Sequence, residues 1–280
     1  MLDKAYRIIH GVSIIDNLVA RLLFGNQFDN LISNWSVLPS KVGWTPGQGG
    51  YKLLAKKYPY SMSADKSAWD WTMQPWCVDL MIAMLRNLGP QDEDYSRRVE
   101  NHLVALFGIG AKFIAGNTVF TQRVQGIMKS GYLGTIHLNS ILQTALHILA
   151  KIRLGQDVEP YPDSVGDDTI QRPEADPETY FRTLELGGCV IKQYETVKGV
   201  DFVGHRFNEQ QCLPNYRSKH CYRLFHAEDQ LVPETLEGYQ YLYPHDTKFL
   251  KAIHSMMVDC DAVDRMRSPS YLRYWYDYAV

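Results

Sequence analysis

The sequence lacks the marks of several protein classes. Its five cysteines, Cys77, Cys189, Cys212, Cys221 and Cys260, are odd in number and form no Cys-x-x-Cys pair. That excludes a disulfide-stapled scaffold and predicts reduced thiols in an intracellular protein. No apolar run approaches the ~18 residues of a membrane helix. The opening stretch, MLDKAYRIIHGVS, has no apolar signal core. No internal repeat and no low-complexity tract is present. An excess of one charge is missing too: 29 Lys and Arg face 31 Asp and Glu, a net charge of −2. Taken alone, that balance argues against a polyanionic partner. What remains is ordinary globular composition, with 45% hydrophobic and 21% charged residues over 280 positions. That length can bury a sizeable core, in one large domain or two small ones.

The charge is unevenly distributed. Residues 1–60 hold seven Lys or Arg and three Asp, a net of +4, whereas residues 151–180 hold three basic and eight acidic side chains, a net of −5. A basic entry segment and an acidic centre therefore hide in the average.

Periodicity supplies the elements. Residues 13–24 (SIIDNLVARLLF) predict an amphipathic helix with Ile14, Leu18, Arg21 and Leu22 on neighbouring turns, stopped by Gly25. Tyr60, Met62 and Ala64 alternate with Ser61, Ser63 and Asp65, the pattern of a half-buried strand ending in a carboxylate. A helix is expected from Pro75 to about Asn87, closed by Gly89–Pro90. Its apolar stripe is Val78, Met81, Ile82, Leu85 and Leu88. Residues 133–153 carry an apolar stripe (Leu138, Leu142, Ala145, Leu149) and a separate polar one (Thr135, Asn139, Gln143). Residues 163–171 (DSVGDDTIQ) predict two short strands joined by a tight Gly-Asp turn. The order of elements indicates an α+β domain.

Three segments carry chemistry together: SADKSAWDW with Asp65 and Asp70, KSGYLGTIHLNS with Ser130, Gly131, Thr135 and Asn139, and VGDDT with Gly166, Asp167 and Asp168. Nucleotidyl transfer uses two divalent ions about 3.5–4 Å apart, held by carboxylates and substrate phosphates. A strand-end carboxylate beside a hairpin tip with two more suits such a clamp. Taken alone, the first and third segments are weak evidence and the second is stronger. A lone Gly-Asp-Asp arises by chance in on the order of a few per cent of chains this long, and the Asp65/Asp70 pair alone reads as a helix cap. Their joint occurrence, in order, reverses that balance.

In this order, and with the S-G-x-x-x-T-x-x-x-N form of the second segment, the chain resembles viral RNA-dependent RNA polymerases, most closely those of the sobemovirus/luteovirus-like group. The segments look like palm motifs A, B and C. RIIHGVSIIDNLVARLLFG looks like motif F with its following helix, and LGGCVIKQYETVKGVDFVGHRF like motif D leading into motif E. The resemblance spans roughly residues 1–207 and implies a right-hand polymerase palm with partial fingers and thumb. Its implied layout is partial fingers over 1–59, palm over 60–207 with an inserted fingers segment at about 88–126, and a thumb remnant over 208–280. Against that family the expectation is a short chain without most of the fingers before motif F and some of the thumb.

The resemblance also implies roles. Asp65 and Asp167 are the principal ligands of Mg²⁺, with Mn²⁺ as a substitute ion and Asp168 assisting. Asp70 hydrogen-bonds Asn139 and the ribose 2′-hydroxyl, the group that separates RNA from DNA precursors. Ser130 and Gly131 form a loop touching template and incoming nucleotide, and Thr135 shares the polar stripe. Lys4 and Arg7 occupy the motif F position beside the triphosphate, with Lys41 nearby as an RNA contact. Lys192 and Lys198 are both candidates for the acid that protonates pyrophosphate. Arg206 supports the primer end. The implied substrates are ribonucleoside triphosphates, with RNA template and nascent RNA as partners beside viral or host replication proteins. The implied location is the host cytoplasm, in viral replication complexes.

Other features read as structure. Trp69, Trp71 and Trp76 suit packing around motif A, and the cluster Tyr271, Tyr274, Trp275, Tyr276 and Tyr278 suits a docked helix. Cys212, Cys221 and His226 match no standard zinc spacing. Two competing functions are a non-catalytic RNA-binding fragment and a reverse-transcriptase-like enzyme. The latter usually carries Tyr-x-Asp-Asp at the hairpin, where this chain has Ser-Val-Gly-Asp-Asp.

Overall fold

A computed structural model describes residues 8–278 of the chain. The elements, in order, are α1 (Ile14–Ser33), α2 (Gly50–Lys57), β1 (Tyr60–Lys66), α3 (Trp69–Thr72), α4 (Pro75–Asn87), α5 (Glu93–Phe107), β2 (Lys112–Ala115) and β3 (Thr118–Thr121). Then follow α6 (Thr135–Arg153), β4 (Asp163–Val165), β5 (Asp168–Gln171), α7 (Pro177–Glu185), β6 (Ile191–Lys198), β7 (Val200–Phe202), β8 (His205–Phe207) and β9 (Cys212–Pro214). The chain closes with α8 (Arg217–Phe225), α9 (Val232–Leu242), α10 (Thr247–Asp259) and α11 (Pro269–Asp277). They fall into two compact units, Met1–Gly43 with Ala64–Tyr194 and Trp44–Ser63 with Glu195–Val280.

The first unit is α+β. Ser13 caps α1 by accepting from the amides of Ile15 and Asp16. The helix does not stop at Gly25, as the sequence suggested, but runs on to Ser33. Its buried face is Ala20, Phe24, Gly25 and Phe28, while Ile14, Leu18 and Leu22 are exposed. Gly25 lies on the packed face, and packing overrides the roughly 1 kcal/mol helix cost of glycine. Helix α4 starts on Pro75 as expected and packs Cys77, Val78, Met81 and Leu85 inward against α5, leaving Leu88 exposed.

Helix α6 is more deeply buried than its two stripes predicted. Leu138, Leu142, Leu146 and Ala150 line its apolar side, and Asn139, Ser140, Gln143 and His147 are buried as well. A sheet of order β4-β5-β1-β6 lies in this unit, to which β1 and β6 contribute the parts within its bounds. Strands β4 and β5 form the expected hairpin, with Val165 opposite Asp168. The two-residue turn places Gly166 at φ +63, a conformation that glycine adopts without a Cβ clash.

The second unit contains the antiparallel sheet β7-β8-β9. Trp44 packs against Phe202 and Phe207, and Tyr51 against Phe207 and Tyr276. A helical core joins Leu236, Tyr239, Tyr243, Ile253, Met257 and Ala262.

Candidate active site

The Gly166–Asp168 turn is held from behind by α6. The Gly166 amide donates to Ser140 Oγ at 2.8 Å, and Ser164 Oγ donates to the Ser140 carbonyl at 2.9 Å. The Ser140 hydroxyl in turn donates to the Ile136 carbonyl at 2.7 Å. Below the turn, Asp163 meets Lys41 at 3.3 Å, with the two side chains 1% and 3% exposed. Lys41 Nζ also donates to the carbonyls of Trp35 and Leu38. The backbone of Pro39–Lys41 pairs with Ser164 in both directions. This corrects the expectation that Lys41 contacts RNA: it is an internal counter-ion under the hairpin, with almost no surface to offer a ligand. A buried pair of this kind is strongly destabilising to break, because the remaining charge is left without compensation.

Asp65 stands near the end of β1, the strand beside β5. Its carboxylate accepts from Lys192 Nζ at 2.9 Å, and both side chains are well exposed. Asp167 and Asp168 are exposed at the turn. The next residue of β1, Lys66, is buried and donates to the Asp167 carbonyl at 3.3 Å and to Thr169 Oγ1 at 3.2 Å. Burial pushes its ammonium below the usual lysine range, while Cys189 and the carboxylates of Asp167, Asp168 and Asp65 pull it back up. Sequence reasoning missed Lys66, although Met62, Ala64 and Lys66 continue one inward strand phase.

Asn139, from α6, donates to Asp70 Oδ1 at 3.3 Å. Its own Oδ1 is buried and has no partner among the described residues. The Asp70 carbonyl accepts from the Met128 amide at 2.7 Å, tying α3 to the loop before α6. In that loop Ser130 Oγ accepts from the His10 amide at 3.0 Å, and the Gly131 amide donates to the His10 carbonyl at 2.9 Å. A Cβ on Gly131 would meet that carbonyl at 2.5 Å, so only glycine fits. The Thr135 hydroxyl closes the loop, donating to the Lys129 carbonyl at 2.7 Å.

Further loop contacts were not legible as site features. Asn17 braces the loop by donating to the Gly131 carbonyl at 3.1 Å and accepting from the Leu133 amide at 2.8 Å. Lys129 is buried, donates to Gln122 Oε1 at 2.6 Å, and lies over the Phe113 ring. Burial pushes its pKa down to about 8. These partners sit far away in sequence, and no spacing rule links them.

Lys4 and Arg7 lie outside the described residues. Lys198 and Arg206 belong to the second unit and are exposed there, Arg206 standing 3.9 Å from Asp201. Among the described residues, no three His, Cys, Asp or Glu side chains form a ready-made metal cage. The donors nonetheless suit Mg²⁺, a hard cation bound through one or two carboxylates plus substrate phosphates rather than by an all-protein cage.

Comparison with known proteins gives the family and the fold. The family model for viral RNA-dependent RNA polymerases matches residues 5–221. Protein P1-P2 of Potato leafroll virus is 26% identical over 285 residues, covering 91% of this chain and 25% of that protein. Replicase polyprotein P2AB of Cocksfoot mottle virus is 29% identical over 220 residues, covering 71% of this chain and 22% of that protein. The chain thus spans about a quarter of the length of the curated relatives it matches. Among solved structures, the Sicinivirus 3Dpol RNA-dependent RNA polymerase superposes with a TM-score of 0.71 at 14% identity, over 95% of this chain and 61% of that one. The RNA-dependent RNA polymerase of a human picobirnavirus gives 0.73 at 11%, over 92% and 53%. These similarities show the fold, an α+β polymerase palm.

Proposed function

We propose that this chain, which belongs to the viral RNA-dependent RNA polymerase family, adds ribonucleoside monophosphates to an RNA 3′ end under template direction and releases pyrophosphate. The observation that carries this reading is the neighbouring of β1 and β5, which sets Asp65 beside the Gly166–Asp168 turn with Lys66 spanning the two. Asp65 and Asp167, assisted by Asp168, would hold Mg²⁺ or Mn²⁺. Bound there, the ions would activate the 3′-hydroxyl and hold the triphosphate.

The chain's own residues divide the remaining work. Asp70 and Asn139 read the ribose 2′-hydroxyl, and the buried Asn139 Oδ1 is the kind of acceptor that strongly rejects an analogue lacking the hydroxyl. Ser130, Gly131 and Thr135 shape the loop that meets the incoming nucleotide. Of the two motif D lysines, Lys192 has support from its contact with Asp65. It is the proton donor to pyrophosphate in this reading, with Lys198 the alternative. Lys4 and Arg7 approach the triphosphate, and Arg206 the primer. Residues 60–207 form the palm, about 88–126 an inserted fingers segment, 1–59 partial fingers and 208–280 thumb. The RNA is viral, copied in the infected host cell.

The test is template-directed RNA synthesis with Mg²⁺ or Mn²⁺. Asp167→Ala abolishes it, and undiminished synthesis by that variant would sink the proposal. Asp70→Ala and Asn139→Ala keep synthesis but relax the preference for ribonucleotides over deoxyribonucleotides, measured by parallel primer extension. One observation favours a second reading, a non-catalytic RNA-binding fragment: the Asp65 carboxylate is already paired with Lys192. RNA binding without incorporation, by a protein that also binds Mn²⁺, selects that alternative.

A further inference from the structure

Lys66 is an unusual residue for its position. Strand β1 turns Met62, Ala64 and Lys66 to the interior and Asp65 to the exterior. The first two fill that face with apolar atoms, and the third places an ammonium there at 6% exposure. A long lysine side chain normally buries its stem and extends its head to water. This one turns its head inward, to the Asp167 carbonyl at 3.3 Å and Thr169 Oγ1 at 3.2 Å. Both acceptors are uncharged. A buried ammonium on neutral oxygens is costly unless nearby negative charge compensates it. The compensating charge available is that of Asp65, the preceding residue of the same strand, and of Asp167 and Asp168 at the turn whose backbone Lys66 holds.

We propose that Lys66 is a positioning residue for the carboxylate site: a built-in cation that fixes the Asp167–Asp168 peptide from inside the sheet and offsets carboxylate repulsion before a divalent ion enters. This rests on the reading of Asp65, Asp167 and Asp168 as the metal-holding group. The two parts of the role act on different quantities. The hydrogen bond to the Asp167 carbonyl fixes where the Asp167 side chain starts, and so governs the rate once metal is bound. The charge opposes any divalent ion, and so weakens metal binding. Removing the ammonium should therefore tighten metal binding and slow incorporation. Simple loss of packing would loosen the first and slow the second.

The experiment uses the full chain, with Mn²⁺ alone as probe, followed by the magnetic resonance signal of the free ion. Lys66→Met keeps the stem and removes the charge. It should lower the Mn²⁺ Kd about five- to tenfold, the size expected when one charge near a divalent ion is deleted. Incorporation at saturating Mn²⁺ should fall by about tenfold, in line with a small misplacement of a reacting group. Lys66→Arg retains the charge and should return the Kd to within twofold of wild type. Thr169→Val removes one acceptor and no charge; it should leave the Kd unchanged and slow incorporation two- to fivefold. It also serves if Lys66→Met does not fold, as judged by its thermal melt. An unchanged or raised Kd in folded Lys66→Met, or wild-type incorporation by Thr169→Val, overturns the proposal. Equal Mn²⁺ binding by wild type and Asp167→Ala overturns the underlying site reading instead, whatever Lys66 does.

Discussion

The two units have interiors of different chemistry. Among the described residues, sixteen of the eighteen buried polar or charged side chains belong to the first unit and two, Ser61 and Gln240, to the second. Buried aromatic rings occur in both, and in the second, where they include Trp44, Tyr51, Tyr58, Phe202, Phe207, Tyr243 and Tyr276, few other polar side chains are buried with them. Apolar packing is nondirectional and tolerates exchange at constant volume. Hydrogen-bonded polar interiors fix direction, and they are costly when one partner is lost. The unit that carries the candidate site is the one whose core is directional. Turn, loop and helix there are each tied by named hydrogen bonds, as a site needing positions within about 0.5 Å requires.

The comparison predicts asymmetric fragility. Lys41→Met removes a buried cation from beside Asp163 and should destabilise the first unit by about 3–5 kcal/mol. The double variant Lys41→Met/Asp163→Leu should recover most of that loss, because an apolar pair of similar volume carries no uncompensated charge. Denaturant midpoints of both variants measure the difference. A double variant as unstable as the single one would place the cost in packing rather than charge. Leu236→Ala, in the second unit, is the matched apolar lesion. It should cost about 2–5 kcal/mol through its cavity and leave Mn²⁺ affinity unchanged. Altered Mn²⁺ binding in that variant would erase the contrast between the units.

A smaller lesion sharpens the point within the first unit. Ser140→Ala removes one oxygen and leaves the Gly166 amide without its acceptor. The expected cost is about 1–3 kcal/mol. Incorporation should fall by more than stability alone explains, since the same amide begins the carboxylate turn. Stability and rate measured on one preparation separate the two effects.

What was legible in the sequence follows from the same contrast. The hairpin at Gly166, the helix from Pro75 and the strand before Asp65 were readable because each follows local rules: turn chemistry, a helix-start proline and alternation. The Asp70–Asn139 contact came from the resemblance and is present at 3.3 Å. The buried partners were not readable. Lys41 looked like a surface cation because lysine usually is one, and only the fold brings Asp163 to it across 122 positions. Helix α1 misled for a related reason. Its most apolar stripe is exposed, and the buried face runs through Gly25, which hydrophobicity alone would not select.

The mildest expected effect is acid sensitivity of the α1 packing. His102 lies 6.0 Å from the Phe24 ring, and His137 stacks on Phe28 at 4.6 Å. Burial holds both imidazoles below the usual 6.5, so the folded state favours their neutral form. The unfolded chain then binds more protons than the folded one once the pH drops below about 6.5. Their contribution is therefore fully present above 6.5 and is lost as pH falls from there toward the lowered folded values. Between pH 7.5 and pH 5.5 stability should therefore fall, read from urea midpoints. His102→Gln/His137→Gln should flatten that dependence while lowering stability at pH 7.5. If the double variant keeps the wild-type slope, the acid sensitivity belongs to other groups, and the directional interior of the first unit does not extend to its aromatic edge.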